Sequence, residues 1–322
     1  MASKQSALWL IWSKVPSVFE KQRHELFLIL GAFFFAVNGV PAKLVLNSTL
    51  TSLRLTEIRT IGGFLILLIW VLIKNPKSLR ISKSEIPWLI LFGLVGFAGV
   101  NTFYFLSIHR LKVSIALLIE FTSPVWIALY LRYIRKVKVS SLMWWGLGVS
   151  ILGLILLAQV WKGMTLNGLG VIFAFIDAFA MCVYFVVGER LTKKHSTEVM
   201  LVWGMGISSL FFAIIQPLWN FPVSALSKSI SLEGALSGNT VPAWTLVLFI
   251  VFGGMVIPYL FVIAGLKGLS ASISSVIGML EPVFAGIVAW ILLQEALNAV
   301  QLVGAAVILV GIFLADRARN KV

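Results

Sequence analysis

Two stretches, 158 positions apart, decide how this chain is built: LIEFTSPVWIALYLRYIRKV (118–137) and VIGMLEPVFAGIVAWILLQE (276–295). Both are largely apolar and carry a proline near the middle. In the second, Glu281 stands directly before Pro282; in the first, Glu120 stands one helical turn before Pro124. A carboxylate inside a bilayer is costly, and a proline inside a helix removes a backbone hydrogen bond. The same two costs, met twice in nearly the same register, need a common cause.

That register extends outward. At the same offset residues 94–157 align with 252–315 without a gap. Gly96 meets Gly254, Ser114-Ile115 meets Ser272-Ile273, Pro124-Val125 meets Pro282-Val283, Gly146 meets Gly304 and Gly153 meets Gly311. Glycines and prolines held in step across three apolar segments mark an internal duplication.

The chain has 322 residues, 60% hydrophobic and 12% charged, about half the charged share of a soluble domain. Apolar runs fall near 26–46, 52–73, 86–108, 111–133, 141–160, 165–188, 199–220, 244–266, 270–293 and 298–315. Each approaches the length of a helix that crosses the hydrocarbon core. None alternates with the period of two expected of barrel strands. The expected fold is an all-α membrane protein of ten transmembrane helices, arranged as two inverted five-helix repeats, 26–160 and 165–315. Five is odd, so the second repeat enters the membrane upside down relative to the first. Residues 316–322 form a short tail. Residues 1–25 lack a cleavable signal; their Trp and Lys mixture fits a segment on the cytoplasmic interface or a disordered tail.

The net charge of +14 does not point to nucleic acid, because of where the charges lie. With the N-terminus inside, cytoplasmic segments carry 19 Lys and Arg and outer segments 5, with Lys43 and Arg59 inside spans. The excess of Lys and Arg places both termini in the cytoplasm. A plasma (inner) membrane location is expected, with the bilayer and a small molecule as partners and a monomer as default. A single cysteine, Cys182, excludes an internal disulfide and a thiolate metal site, and His24, His109 and His195 make no ligand cluster. No metal or cofactor is expected. No GxxxxGK[ST] segment offers a nucleotide site.

The segment EPVFAGIVAWILLQEALNAVQLVGAAVILVGIFLA (281–315) resembles the EamA-type transporters of the drug/metabolite transporter superfamily: a proline, an apolar helix, Glu295, then a closing helix with Gly304 and Gly311. GVIFAFIDAFAMCVYFVVGERL (170–191) resembles the family's opening helix of the second repeat, and Arg59 an arginine often found in its second helix. The resemblance covers about residues 26–315. One departure is Val137, which stands where a second glutamate would mirror Glu295. The resemblance implies a transporter of amino acids, nucleobase-like or sugar-like metabolites, or cationic drugs. It also implies that the opening helices, which carry Asn38, Asp177 and Tyr184, line the cavity between the halves.

The candidate substrate-binding or coupling residues are Glu281, Asp177, Glu120, Arg59, Asn38 and Tyr184. The expected helix kinks are at Pro124, Pro282 and Pro41. Proline frees the carbonyl four residues upstream, Glu120 and Gly278 respectively. A freed carbonyl in a membrane takes water, a side chain or a ligand as partner. Kink and carboxylate together suggest a wet polar spot at mid-depth. The competing reading is structural, with a protonated Glu281 hydrogen-bonding a neighbouring helix. Arg59 pairs with a buried acid or holds a carboxylate; on the alternative reading Arg59 and Glu57 snorkel or pair with each other. Trp126, Phe284 and Trp290 line a cavity, pack between helices or face lipid, and Glu295 reads as a solvated or capping group.

These features favour a secondary transporter, a metabolite or amino-acid exporter working by alternating access, with protons as a candidate coupling ion. The alternatives are a membrane-embedded enzyme acting on lipid or a lipid-linked substrate, or a receptor or scaffold that transports nothing. The acids are scattered over separate spans without a histidine, which disfavours the enzyme.

Overall fold

The computed structural model describes residues 22–111, 113–161, 167–294 and 296–319. Among the described residues ten helices are long and apolar enough to cross a membrane: α1 Arg23–Ser48, α2 Ser52–Lys74, α3 Ile86–Ile108, α4 Ser114–Ile134, α5 Ser141–Ala158, α6 Gly168–Thr192, α7 Thr197–Ile215, α8 Ala243–Leu266, α9 Ala271–Leu293 and α10 Ala299–Ala318. They match the ten apolar runs. Glu295 and most of the N-terminal segment lie outside the described residues.

Several starts are set by side-chain caps, which satisfy an amide that the first turn leaves free. Ser140 accepts from Met143 N, Asn167 from Gly170 N and Ser196 from Val199 N, at 3.0–3.4 Å. Two spans are broken at matching places. α4 stops after Glu120 and resumes at Ser123; α9 stops after Gly278 and resumes at Glu281. Both prolines sit in the first turn of the second piece, where a missing amide costs least. The break is tightened by three-residue turns, Thr122 N to Ile119 O at 3.0 Å and Leu280 N to Ile277 O at 3.0 Å. Pro41, by contrast, lies within the unbroken helix of α1. α3 and α8 each widen into a π-helical stretch, over Phe92–Gly99 and Phe252–Val256, again at matching positions.

The packing crosses between halves. α1 lies against α8 and α9, while α6 lies against α3 and α4. α5 runs along α10, and α2 along α7. The α5–α10 contact is reciprocal. A Cβ built on Gly146 falls 2.7 Å from Ala315 N and 2.8 Å from Gly311 O; one on Gly304 falls 2.5 Å from Leu157 N and 2.8 Å from Gly153 O. Each contact is the other displaced by 158 positions. Self-matching of this kind belongs to two-fold interfaces.

Between α7 and α8 a small hairpin, β1 Ser229–Ser231 with β2 Thr240–Pro242, buries Ile230 against Leu44, Val45 and Val247. Gly234 turns within this segment at φ +63° beside the Leu293 backbone, a conformation that a side chain would strain.

Candidate functional site

An atom-free space of about 620 Å³ lies where α1, α3, α4, α6, α8 and α9 meet. Aromatic and aliphatic residues make most of its wall; Ser123, Tyr184, Ser274, Ser275 and Glu281 supply polar groups. Leu28 and Ala32 reach it from the first half of α1, Ser274 and Ser275 from the start of α9, and Val262 from near the end of α8. The space therefore lies toward the ends of the helices that carry the basic loops.

The breaks in α4 and α9 explain which polar groups arrive there. Resuming a helix at Ser123 and at Glu281 aims both repeat-equivalent residues at the cavity. Gly278 contributes no side chain, and a Cβ there would meet nothing within 4 Å. Tyr184 stacks on Phe92 with ring centres 5.3 Å apart, and Phe97 lies 4.7 Å from the ring of Tyr259. This aromatic group fixes the wall beside the carboxylate. The hydroxyl of Tyr184 has no protein partner.

Beyond the cavity, toward the far ends of the helices, lies a second polar layer. Glu120, Asp177, Asn101 and Arg59 occupy it. Arg59 lies seven residues from the far end of α2 and Asn101 seven from that of α3, about 10 Å of helical rise each. Glu120 and Asp177 are buried at 7% and 1% exposure. Neither oxygen of Asp177 finds a protein partner, nor does Oε2 of Glu120. Buried polar atoms without partners are uncommon and need a reason. Glu120 is in electrostatic reach of Glu281, Asp177 of Glu120, and Arg59 of Glu281. Among the described residues no hydrogen bond joins these acids, and of the three Glu281 alone lines the cavity.

Among the described residues Arg59 is ion-paired neither with a buried acid nor with Glu57. It donates from Nη2 to Asn101 Oδ1, not to an acid. Glu57 is taken by Arg54, which donates at 2.7 Å and also reaches the carbonyls of Gln216 and Pro217. A neutral partner takes one of the guanidinium's donors, leaves Nε without a partner, and leaves the charge to act on Glu281. Asn38 is buried at mid-helix, where its side chain fills the space left by Gly254. Its counterpart contact is Tyr184 over Gly96, whose Cβ would lie 3.2 Å from Tyr184 Cα. Trp126 packs on Phe179 at 4.7 Å and Phe284 on Phe33 at 5.7 Å, while Trp290 is exposed on the outer surface; none of the three lines the cavity.

Asn101 and Tyr259 join the site without a motif to mark them, but a signal exists: they are 158 positions apart, polar residues at matching places in apolar spans. Among the described residues no group of three His, Cys, Asp or Glu is placed to hold a metal ion.

Comparison with known proteins agrees with this architecture. A crystallised protein with 17% sequence identity superposes with a TM-score of 0.74, covering 93% of this chain and 98% of that one. An uncharacterised transporter of Archaeoglobus fulgidus is 25% identical over 283 residues, 86% of this chain and 96% of its own. The inner membrane transporter YicL of Salmonella typhimurium is 22% identical, over 89% of this chain and 93% of its own. The threonine/homoserine exporter RhtA of Salmonella typhimurium is 24% identical, over 79% and 78%. The sequence profile of the EamA-like transporter family matches twice, over residues 22–159 and 168–315. This multi-pass membrane protein belongs to the EamA-like transporter family.

Proposed function

We propose that the chain exports a small amphipathic metabolite of the amino-acid type by alternating access, with Glu281 as the coupling carboxylate. The observation that carries this reading is the placement of Glu281 at the break of α9, facing a cavity that the opening helices of both halves help to build. The reciprocal α5–α10 contact and the crossed packing of α1 and α6 support an inverted relation between the halves. Two halves of equal construction and opposite orientation can exchange shapes, which is how such transporters open to either side in turn.

In this conformation the cavity lies on the basic side and the Glu120–Asp177–Arg59 layer lies across the far side. With the basic loops in the cytoplasm, the protein faces inward, with both termini cytoplasmic in the plasma membrane. A substrate ammonium would meet Glu281 and its apolar part the aromatic wall. Coupling requires that proton and substrate affinities differ between the two facing states. The name of the RhtA relative motivates the amino-acid class.

Reconstitution into liposomes tests the reading. Vesicles loaded with a panel of amino acids should exchange at least one of them for labelled external substrate, faster than protein-free vesicles. An imposed pH gradient should then concentrate it. Absence of exchange by correctly folded protein across the panel would reject the substrate class. Exchange that ignores the pH gradient would reject coupling alone. Recovery of a chemically altered compound would favour an enzyme.

A further inference from the structure

A second cavity, with about 750 Å³ of atom-free space, opens at the basic ends of α3, α4 and α6. It is separate from the site above. Trp88, Tyr130 and Val186 form its less polar wall, and three cations reach it, Arg135, Arg190 and Lys193. Its one carboxylate, Glu189, is engaged: Oε1 lies 3.5 Å from Lys193 Nζ, and Oε2 accepts from Ala271 N at 2.8 Å. The nearby Glu85 is held by Lys194 at 2.5 Å. Among the described residues, neither Arg135 nor Arg190 is ion-paired with a carboxylate. The cavity therefore holds more positive charge than its own acid neutralises.

The cations are positioned. The Arg190 guanidinium lies over the Trp88 ring, 4.0 Å from its centre, an arrangement that fixes the plane of the fork. Arg135 follows the wide last turn of α4, its amide bonded to Tyr130 O at 3.1 Å, and Lys136 then reverses the chain at φ +54°. Two forks and an ammonium around one space suit the oxygens of a phosphodiester. Depth identifies the source. The cavity sits at helix ends, where Trp marks the membrane interface, and Ile86, Ile90 and Ile134 nearby in the sequence are exposed, apolar surface of the kind acyl chains cover.

We infer that this cavity binds the phosphate of an anionic phospholipid through Arg135, Arg190 and Lys193. Basic pockets between transmembrane helices recognise such headgroups. The bound lipid would join α3 and α4 of the first half to α6 of the second on the basic side.

Native mass spectrometry of the detergent-purified full chain, titrated with phosphatidylglycerol or phosphatidylcholine, tests the inference. Wild type should retain one phosphatidylglycerol in preference to phosphatidylcholine. Arg135→Ala/Arg190→Ala should lower its apparent affinity about tenfold or more, and the double change to Lys should restore part of it. If the double alanine variant fails to fold, Lys193→Gln and the wild-type comparison of the two lipids keep the test intact. Equal retention of both lipids, or unchanged affinity in the folded variants, would overturn the proposal. Displacement by millimolar inorganic phosphate would assign the site to a free anion and overturn the lipid. None of these outcomes depends on transport, so the result stands apart from the proposed function.

Discussion

The α5–α10 pair and the α4–α9 pair come from the same duplication, and evolution of the sequence has treated them oppositely. In α5 and α10 both copies keep their glycines, Gly146 and Gly153 facing Gly311 and Gly304, so that backbone meets backbone. In α4 and α9 both copies keep the proline and the break, but the acid moves: Glu120 stands before the break in one, Glu281 after it in the other. Close packing tolerates no asymmetry, since any added atom lands on a backbone. The acids show the opposite, since one faces the cavity while the other lies in the layer behind. Membrane helices have little hydrophobic drive toward each other, so small-residue packing of the first kind holds the frame within which the second kind can act.

The strongest test of this contrast is to break the frame. Gly153→Leu places a side chain where a Cβ alone lies 2.6 Å from Ile308 N and 2.8 Å from Gly304 O. The yield of monodisperse, folded protein is expected to fall about tenfold or more, as read by size-exclusion chromatography. Gly148→Leu, on the same helix, meets nothing within 4 Å and should leave the yield unchanged. If Gly153→Leu purifies like wild type, the α5–α10 contact is not what holds the halves.

Breaking the site should leave the frame intact. Glu281→Gln preserves size and hydrogen bonding but fixes the group neutral. Accumulation of substrate driven by a pH gradient is expected to fall to the level of protein-free vesicles, with normal yield and chromatography. Glu120→Gln and Asp177→Asn, measured alongside, locate the coupling. Failure of Asp177→Asn with Glu281→Gln unimpaired would transfer the role to the far layer.

A smaller effect is expected from the break itself. Pro282→Ala restores a donor that can bond to the carbonyl of Gly278, and so favours a continuous α9. Turnover in vesicles should slow about two- to fivefold, with assembly unchanged. Pro124→Ala should act more weakly, because the acid beside that break faces away from the cavity. Equal effects of the two would mean that the break matters for packing alone.

Much of this contrast was legible in the sequence. The ten spans follow from apolar runs, and the paired glycines and prolines from one offset. What stayed hidden is where side chains point once a helix breaks. A continuous α4 would put Glu120 and Ser123 on one face; across its break only Ser123 lines the cavity, so helical spacing across a break misleads. Arg59 was read against charged partners because charge attracts charge. Its partner is Asn101, an amide in another span whose only mark in the sequence is Tyr259 at the repeat-equivalent position.

The smallest expected effect lies outside the membrane, where the halves meet on the basic side. Glu85, just before α3, is 3% exposed and accepts from Lys194, just after α6, at 2.5 Å. That hydrogen bond, with the charges of Lys194, Arg190 and His195, holds the Glu85 carboxyl below its ordinary value despite burial. A carboxyl whose value is depressed on folding stabilises the folded state fully above its unfolded value. The contribution fades as pH falls through the depressed value and is gone below it. Lys194 is half exposed, which screens the pair and keeps the gain small. Glu85→Gln should therefore lower the melting temperature by about 2 °C at pH 7. The gap should narrow steadily as the buffer is taken below the ordinary carboxylate range. A gap that stayed constant with pH would mean that the variant acts through packing of the buried side chain, and that the ion pair contributes nothing to holding the halves together.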